Sequence, residues 1–332
     1  MIFKNKKYLT FYALFILVPM ALFWRLLSGE YRFLGGDSLS PNAVQQAIKA
    51  SIDRTGEYPY WLPWIFSGVP STHSFQNISE YYYPDIFFDL FRFIGIPEFW
   101  NFIFHFSFGS IGMFLLLKKM KLDDFPAFFG ALSFTNMPYL ITMIVHGHGS
   151  QMMTTVYFPW CILGMKQLMD AFSYQKVGFL ALFVGLQLQR GHVQIAYYTW
   201  MLMGFYFLFY IFKLFKSKQN LKLYQFLSIP SSWFLGLCLS LSIYLPALFY
   251  TPESIRGMSA SGGTGLEYAT QWSYSFSEAL TMLLPSFYGF GGPYTYWGEM
   301  PFTDYPNYMG IIVLGLFFYG VFIILKNKQE SY

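Results

Sequence analysis

The sequence predicts an all-α integral membrane protein, a bundle of about eight transmembrane helices. Three observations predict it. Of 332 residues, 55% are hydrophobic and only 11% charged, against roughly 25% charged in an ordinary soluble domain. Eight apolar runs reach or approach the roughly 20 residues that cross a bilayer. The lysines cluster in alternate gaps between those runs and the carboxylates in the others, which is the bias that orients membrane helices. So few charges cannot cover a water-facing surface without exposing extensive apolar area.

The first run, Tyr8 to Leu27, follows Lys4, Lys6 and Lys7. Trp24, Arg25 and Leu26 stand where a signal peptide would carry small residues for cleavage, so the run reads as an uncleaved span. The next spans are Phe99 to Leu117, Phe125 to Val145, Met152 to Met169, Val177 to Gln189, Val193 to Phe212, Phe226 to Tyr250 and Tyr308 to Leu325. The fifth is short. In this order the inner side collects 14 of the 21 basic residues, all lysines, from Lys4 through Lys118, Lys166 and Lys213 to Lys328. The outer side collects 13 of the 17 carboxylates and all six arginines. Omitting one helix would swap every later cluster to the wrong side. Both termini are therefore placed in the cytoplasm, in a single membrane domain over 1–332 with two large outer loops, 28–98 and 251–307.

Composition also excludes classes. Cys161 and Cys238 lie inside apolar runs, so neither a disulfide framework nor a thiolate metal site is expected. The net charge of +4 is spent on topology, not gathered on a helix face for nucleic acid. Gly262-Gly263-Thr264-Gly265 lacks the Gly-Lys-Ser/Thr ending of a phosphate loop.

Within the first outer loop, Ser40 as N-cap, Pro41 at the first position and Gly56 beyond the end predict a helix. Val44, Ala47, Ile48 and Ile52 share one face, with Gln45, Lys49 and Asp53 off it, which suits a helix lying in the membrane interface. Asp37 is expected on a glycine-introduced turn just ahead of that helix. A second interfacial helix, near Ile86 to Ile94, carries Asp85, Asp89 and Arg92 at helical spacing.

Asp37 is the leading candidate for chemistry: a carboxylate above the first span can take a proton from an attacking hydroxyl, or it can merely favour a turn. His73 and Glu80, beside Tyr81-Tyr82-Tyr83-Pro84, offer groups that could line a sugar site, while the tyrosines themselves read as an interfacial aromatic belt. His146 and His148 sit in a tight outer loop and hydrogen-bond to substrate or to neighbouring loops; two histidines without a third ligand leave a divalent metal open. Arg190, His192 and Gln194 fall together at the outer helix ends, where a guanidinium can grip a phosphate or snorkel to the headgroups. Arg256 in the second loop is another phosphate candidate. Gln187, Gln189 and Arg190 are costly near lipid unless they face a cavity.

Tyr58-Pro59-Tyr60-Trp61-Leu62-Pro63-Trp64-Ile65-Phe66-Ser67-Gly68-Val69-Pro70, followed by Tyr81-Tyr82-Tyr83-Pro84, resembles the first outer loop of the bacterial YfhO-like membrane proteins. His148 to Trp160, Gly191-His192-Val193-Gln194, Leu284 to Gly289 and Tyr308-Met309-Gly310 are similar to later stretches of that family. Leu62 stands where the family has an asparagine, and Asp37 has no adjacent acidic residue. The resemblance implies a GT-C glycosyltransferase bundle in the bacterial cytoplasmic membrane, with 1–332 as the N-terminal portion of such a protein or a compact form of it. It implies a polyprenyl-phosphate sugar as donor and an envelope polymer or glycolipid outside the membrane as acceptor. Asp37 would match the family's first-loop carboxylate, with Arg190 or Arg256 meeting the charge on the departing phosphate. A flippase or transporter of lipid-linked sugars, hinted at only by His105, Asn136 and Pro138, and a non-catalytic envelope-assembly protein are the alternatives. No resident cofactor is predicted.

Overall fold

The apolar runs fold as helices, and their ends alternate. The computed structural model describes residues 6–65, 67–71, 81–217, 223–254, 265–266, 270–289, 294–303 and 307–329. It is 71% helical, which places it in the all-α class. The helices are α1 (Lys6–Leu22), α2 (Gly36–Thr55), α3 (Asp85–Phe93), α4 (Trp100–Lys119), α5 (Asp124–Thr135), α6 (Pro138–Val145), α7 (Gly149–Thr155), α8 (Phe158–Asp170), α9 (Tyr174–Gln189), α10 (Val193–Lys216), α11 (Leu223–Leu239), α12 (Leu241–Tyr250) and α13 (Ile311–Gln329). The only strands among the described residues, β1 (Trp61–Leu62) and β2 (Val69–Pro70), pair antiparallel. Gly68, at φ +128°, tucks under the Trp61 indole between them.

By length and composition, three of the described helical stretches can cross a membrane: α4, the α5–α6 stretch Asp124–Val145, and α10. A fourth is added if α11 and α12, bent by 73°, count as one span. The continuous third, fourth and seventh runs read from the sequence are thus helix pairs. Each break has a local cause. Pro138 and Pro159 lack the N–H that would continue a helix through them. At the α11–α12 bend the Ser240 hydroxyl donates back to the Leu237 carbonyl at 3.0 Å, a contact that competes with the helical ladder.

One end of the bundle is tied by charge. Asp124, at the start of α5, accepts from Lys118 at the end of α4 (2.7 Å), from Lys7 (3.1 Å) and from the Tyr8 hydroxyl (2.9 Å) in α1. These three donors hold the Asp124 carboxyl well below the usual carboxylate range. Asp170, ending α8, pairs with Lys119 at 2.8 Å and Lys166 at 3.1 Å, and Tyr210 of α10 donates to the Met169 carbonyl at 3.1 Å. At the opposite end the Trp100 indole donates to the Leu27 carbonyl at 3.2 Å, and Gln189 donates to the Leu239 carbonyl at 2.8 Å. Helix direction therefore reverses along α1, α4, α5–α6 and α8, and again from α9 to α10, while α9 and α11 run parallel.

Close packing uses glycine at the crossings. Gly112 of α4 faces the Trp160 indole and Gly236 of α11 faces Val184, so tightly that an added Cβ would overlap them, the small-residue approach typical of membrane helices. Outward faces are apolar: Phe205, Phe209 and Phe212 of α10 and Phe317, Phe318 and Phe322 of α13 are all exposed.

Candidate functional site

The site is built at the end opposite the lysine knot, from the α9–α10 turn outward. Gly191, at φ +72°, turns the chain between the two helices. His192 caps α10, its Nδ1 accepting from the Ile195 N–H at 3.4 Å. Burial, and then the nearby His148, push the His192 imidazole below its ordinary pKa. Arg190 folds inward. It is only 8% exposed, which overturns snorkelling to the headgroups.

Arg190 lies with its guanidinium 4.4 Å from the centre of the Tyr82 ring. Its Nε is buried without a hydrogen-bond partner, and among the described residues no carboxylate makes an ion pair with it. Asp85, a neighbouring buried carboxylate, is instead bound by Arg92 at 2.8 Å. Burial lowers the Arg190 pKa, opposed by Tyr82, Tyr157 and Asp85, yet an arginine stays charged at any working pH. A desolvated cation–π contact is worth about 2 kcal/mol, whereas removing an ion from water costs several. Arg190 is thus a buried cation with no ion-pair partner among the described residues.

Beneath it runs a directed hydrogen-bond chain. His105, fully buried in α4, places Nδ1 2.7 Å from the Asn101 carbonyl, which can only accept. Nδ1 therefore carries the proton, Nε2 accepts from the Tyr82 hydroxyl at 3.2 Å, and Tyr157 donates to Tyr82 in turn. Tyr82 is 1% exposed and is no part of an interfacial belt; Tyr83 faces outward and donates to the Leu239 carbonyl. Gln187 and Gln189 are interhelical struts: Gln187 bonds Thr154 and Thr199, and Gln189 accepts from the Tyr83 N–H at 3.2 Å.

Asp37 forms the rim. α2 begins at Gly36, not at Pro41, so Asp37 occupies the first helical turn and not a turn ahead of it. Ser40 is inside the helix, and Pro41 withholds the N–H that would have bonded the Asp37 carbonyl. Gly56 ends α2 as read from the sequence, at φ +74°. Gly35 lies against the backbone of His146, leaving no room for a Cβ. That approach sets the Asp37 carboxylate 3.2 Å from His148 Nε2, with the Asp37 side chain 63% exposed. A carboxylate only accepts, so His148 donates from Nε2.

Of the residues selected from the sequence, Asp37 and His148 are in contact and His148 lies near His192, whereas Arg190, two residues before His192, is turned toward Tyr82. Gln194 does not join them: it is exposed on α10 and donates to the Tyr198 hydroxyl one turn on, at 2.8 Å. His73, Glu80 and Arg256 lie outside the described residues. Tyr82, Tyr157 and His105 were not selected as site residues; their signal was polar side chains inside or beside apolar runs, which only the packing connects. Among the described residues no group of three or more His, Cys, Asp or Glu side chains could hold a metal. Comparison of the chain with protein-family models, with curated proteins and with solved structures gives no match in any of the three.

Proposed function

We propose that the chain is a multi-pass glycosyltransferase of the bacterial cytoplasmic membrane, transferring a sugar from a polyprenyl-phosphate carrier to an envelope polymer or glycolipid on the outer face. The observation that carries this reading is the Asp37–His148 contact at 3.2 Å, together with a buried arginine that has no counter-charge among the described residues. In the reaction Asp37 removes the proton of the acceptor hydroxyl, whose oxygen attacks the anomeric carbon. The bond from that carbon to the phosphate oxygen breaks, its electrons pass to the phosphate, and Arg190 meets the charge that develops there. His148 orients the carboxylate and Tyr82 holds the guanidinium.

The topology belongs to the same proposal. All eight apolar runs cross the bilayer, the broken ones as jointed spans, with the Asp124 and Asp170 knots inside and the Asp37 rim outside. The alternating helix ends and the lysine placement support it. The resemblance to YfhO-like proteins supports the GT-C arrangement.

One observation favours a second reading. The breaks at Asn136 and at Ser240 resemble the discontinuous helices that transporters use to line a substrate path. Proteoliposomes loaded with a radiolabelled polyprenyl-phosphate sugar separate the two. A transferase moves label into acceptor and loses that activity in Asp37→Asn; a flippase moves intact lipid across the bilayer and leaves the sugar–phosphate bond whole.

A further inference from the structure

The aromatic stretch after α2 folds into a hairpin that the proposed chemistry leaves unused. Trp61–Leu62 pairs with Val69–Pro70, and the Ser71 N–H donates to the Tyr60 carbonyl at 3.0 Å. Two successive residues of its turn have positive φ, Ser67 at +67° and Gly68 at +128°. For serine that is an uncommon conformation, and backbone of this kind clusters where a fixed geometry serves a ligand. Gly68 lies so close to the Trp61 indole that an added Cβ would fall 2.2 Å from its Cζ2 atom. The backbone seats the ring.

The hairpin sorts its side chains by type. Leu62 is fully buried, whereas Tyr60, Trp61 and Trp64 are 76%, 56% and 49% exposed. Each of these three rings carries one O–H or N–H, with no hydrogen-bond partner among the described residues. The exposed hydrophobic residues of α3 are of another kind: Ile86, Phe87, Leu90 and Phe93, none with a polar atom, which is the face that enters lipid. Charge separates the two surfaces from any anionic partner. From Thr55 to Phe91 there is no lysine or arginine, against Glu57, Glu80, Asp85 and Asp89. A hairpin in that field is not drawn to lipid phosphates, which polybasic segments seek, or to an acidic polymer. Its partner is uncharged.

We propose that the hairpin is a stacking platform for an uncharged saccharide. A pyranose presents a C–H face, which packs on an aromatic ring, and a rim of hydroxyls, which meets the tyrosine O–H and tryptophan N–H edges; these side chains combine an apolar body with such a polar handle. A ring seated in advance loses little freedom on binding. The role of the platform as a handhold for the acceptor rests on the transferase reading. The binding itself does not.

Fluorescence polarisation with labelled hexasaccharides of glucose and of N-acetylglucosamine tests it, on the full chain in nanodiscs of phosphatidylethanolamine and phosphatidylglycerol, since sugar-based detergents would compete. The expected result is saturable binding of at least one of the two. Trp61→Ala and Trp64→Ala each weaken it about tenfold, Trp61→Phe keeps it within about threefold, and Phe93→Ala on α3 leaves it unchanged. Binding of neither saccharide, or equal affinity in either alanine variant, overturns the proposal. So does quenching by brominated lipid of the fluorescence that Trp61→Phe removes, which would put the hairpin in the bilayer. Saccharide binding without sugar transfer supports the platform and sinks the transferase; transfer without saccharide binding does the reverse.

Discussion

The Arg190 guanidinium rests on the face of Tyr82, 4.4 Å from the ring centre, where no carboxylate among the described residues reaches it. A side chain in that position is a burden to the fold unless a ligand compensates it. Arg190→Met should therefore leave thermal stability unchanged or raise it by up to about 3 kcal/mol, as when other buried charges are replaced by apolar groups of similar volume. Sugar transfer by the same variant should fall about 100-fold or more. Denaturation in detergent and an initial-rate assay check the two halves; a marked loss of stability would mean that the guanidinium serves the fold.

Tyr82→Phe should act oppositely. It keeps the ring beneath Arg190 but takes away the hydroxyl that bonds both His105 and Tyr157. Leaving buried polar groups unpaired costs about 1–3 kcal/mol each. The expected outcome is a clear drop in melting temperature with only a modest effect on transfer.

His192 sets a pH dependence. Its folded-state pKa lies below the ordinary 6.5 because burial, and then His148, disfavour the charged ring. The unfolded chain binds the extra proton more readily, so this contribution to stability is fully present above pH 6.5 and is lost progressively as pH falls below that value toward the folded-state pKa. Melting temperature measured from pH 7.5 down to 5.5 should decline, and His192→Asn, which can still cap α10, should flatten the decline.

Asp124 joins three helices by accepting from Lys7, Tyr8 and Lys118. Asp124→Asn removes the charge that both lysines answer and should destabilise the protein by roughly 2 kcal/mol. Because the knot lies far from the Asp37 rim, the transfer rate of the folded fraction should be unchanged.

Much of this architecture was legible in the sequence because apolar length and lysine placement are local signals. The helices fall on the eight apolar runs, α3 covers the short amphipathic stretch with Arg92 bonded to Asp85 and Asp89, and Ile48 is the buried centre of the face read on α2. The breaks were less legible, since Pro138, Pro159 and Ser240 interrupt hydrogen bonding without interrupting hydrophobicity. The start of α2 was misplaced because Ser40-Pro41 carries a capping signature that the helix simply runs through. The floor of the site was hidden for another reason: Tyr82, His105, Tyr157 and Arg190 are far apart along the chain, and nothing in a span's composition says which polar group will meet which.

Sugar transfer by Asp37→Asn, measured in proteoliposomes with a radiolabelled polyprenyl-phosphate donor, tests the proposed chemistry most directly. The exposed Asp37 side chain makes a single ion pair among the described residues, with His148, so the substitution should leave insertion and melting temperature intact. With the base removed, the rate should fall about 100- to 10,000-fold. Transfer within a few-fold of the unsubstituted protein would contradict the assignment of Asp37 as the base, and with it the account of this rim as the place of reaction.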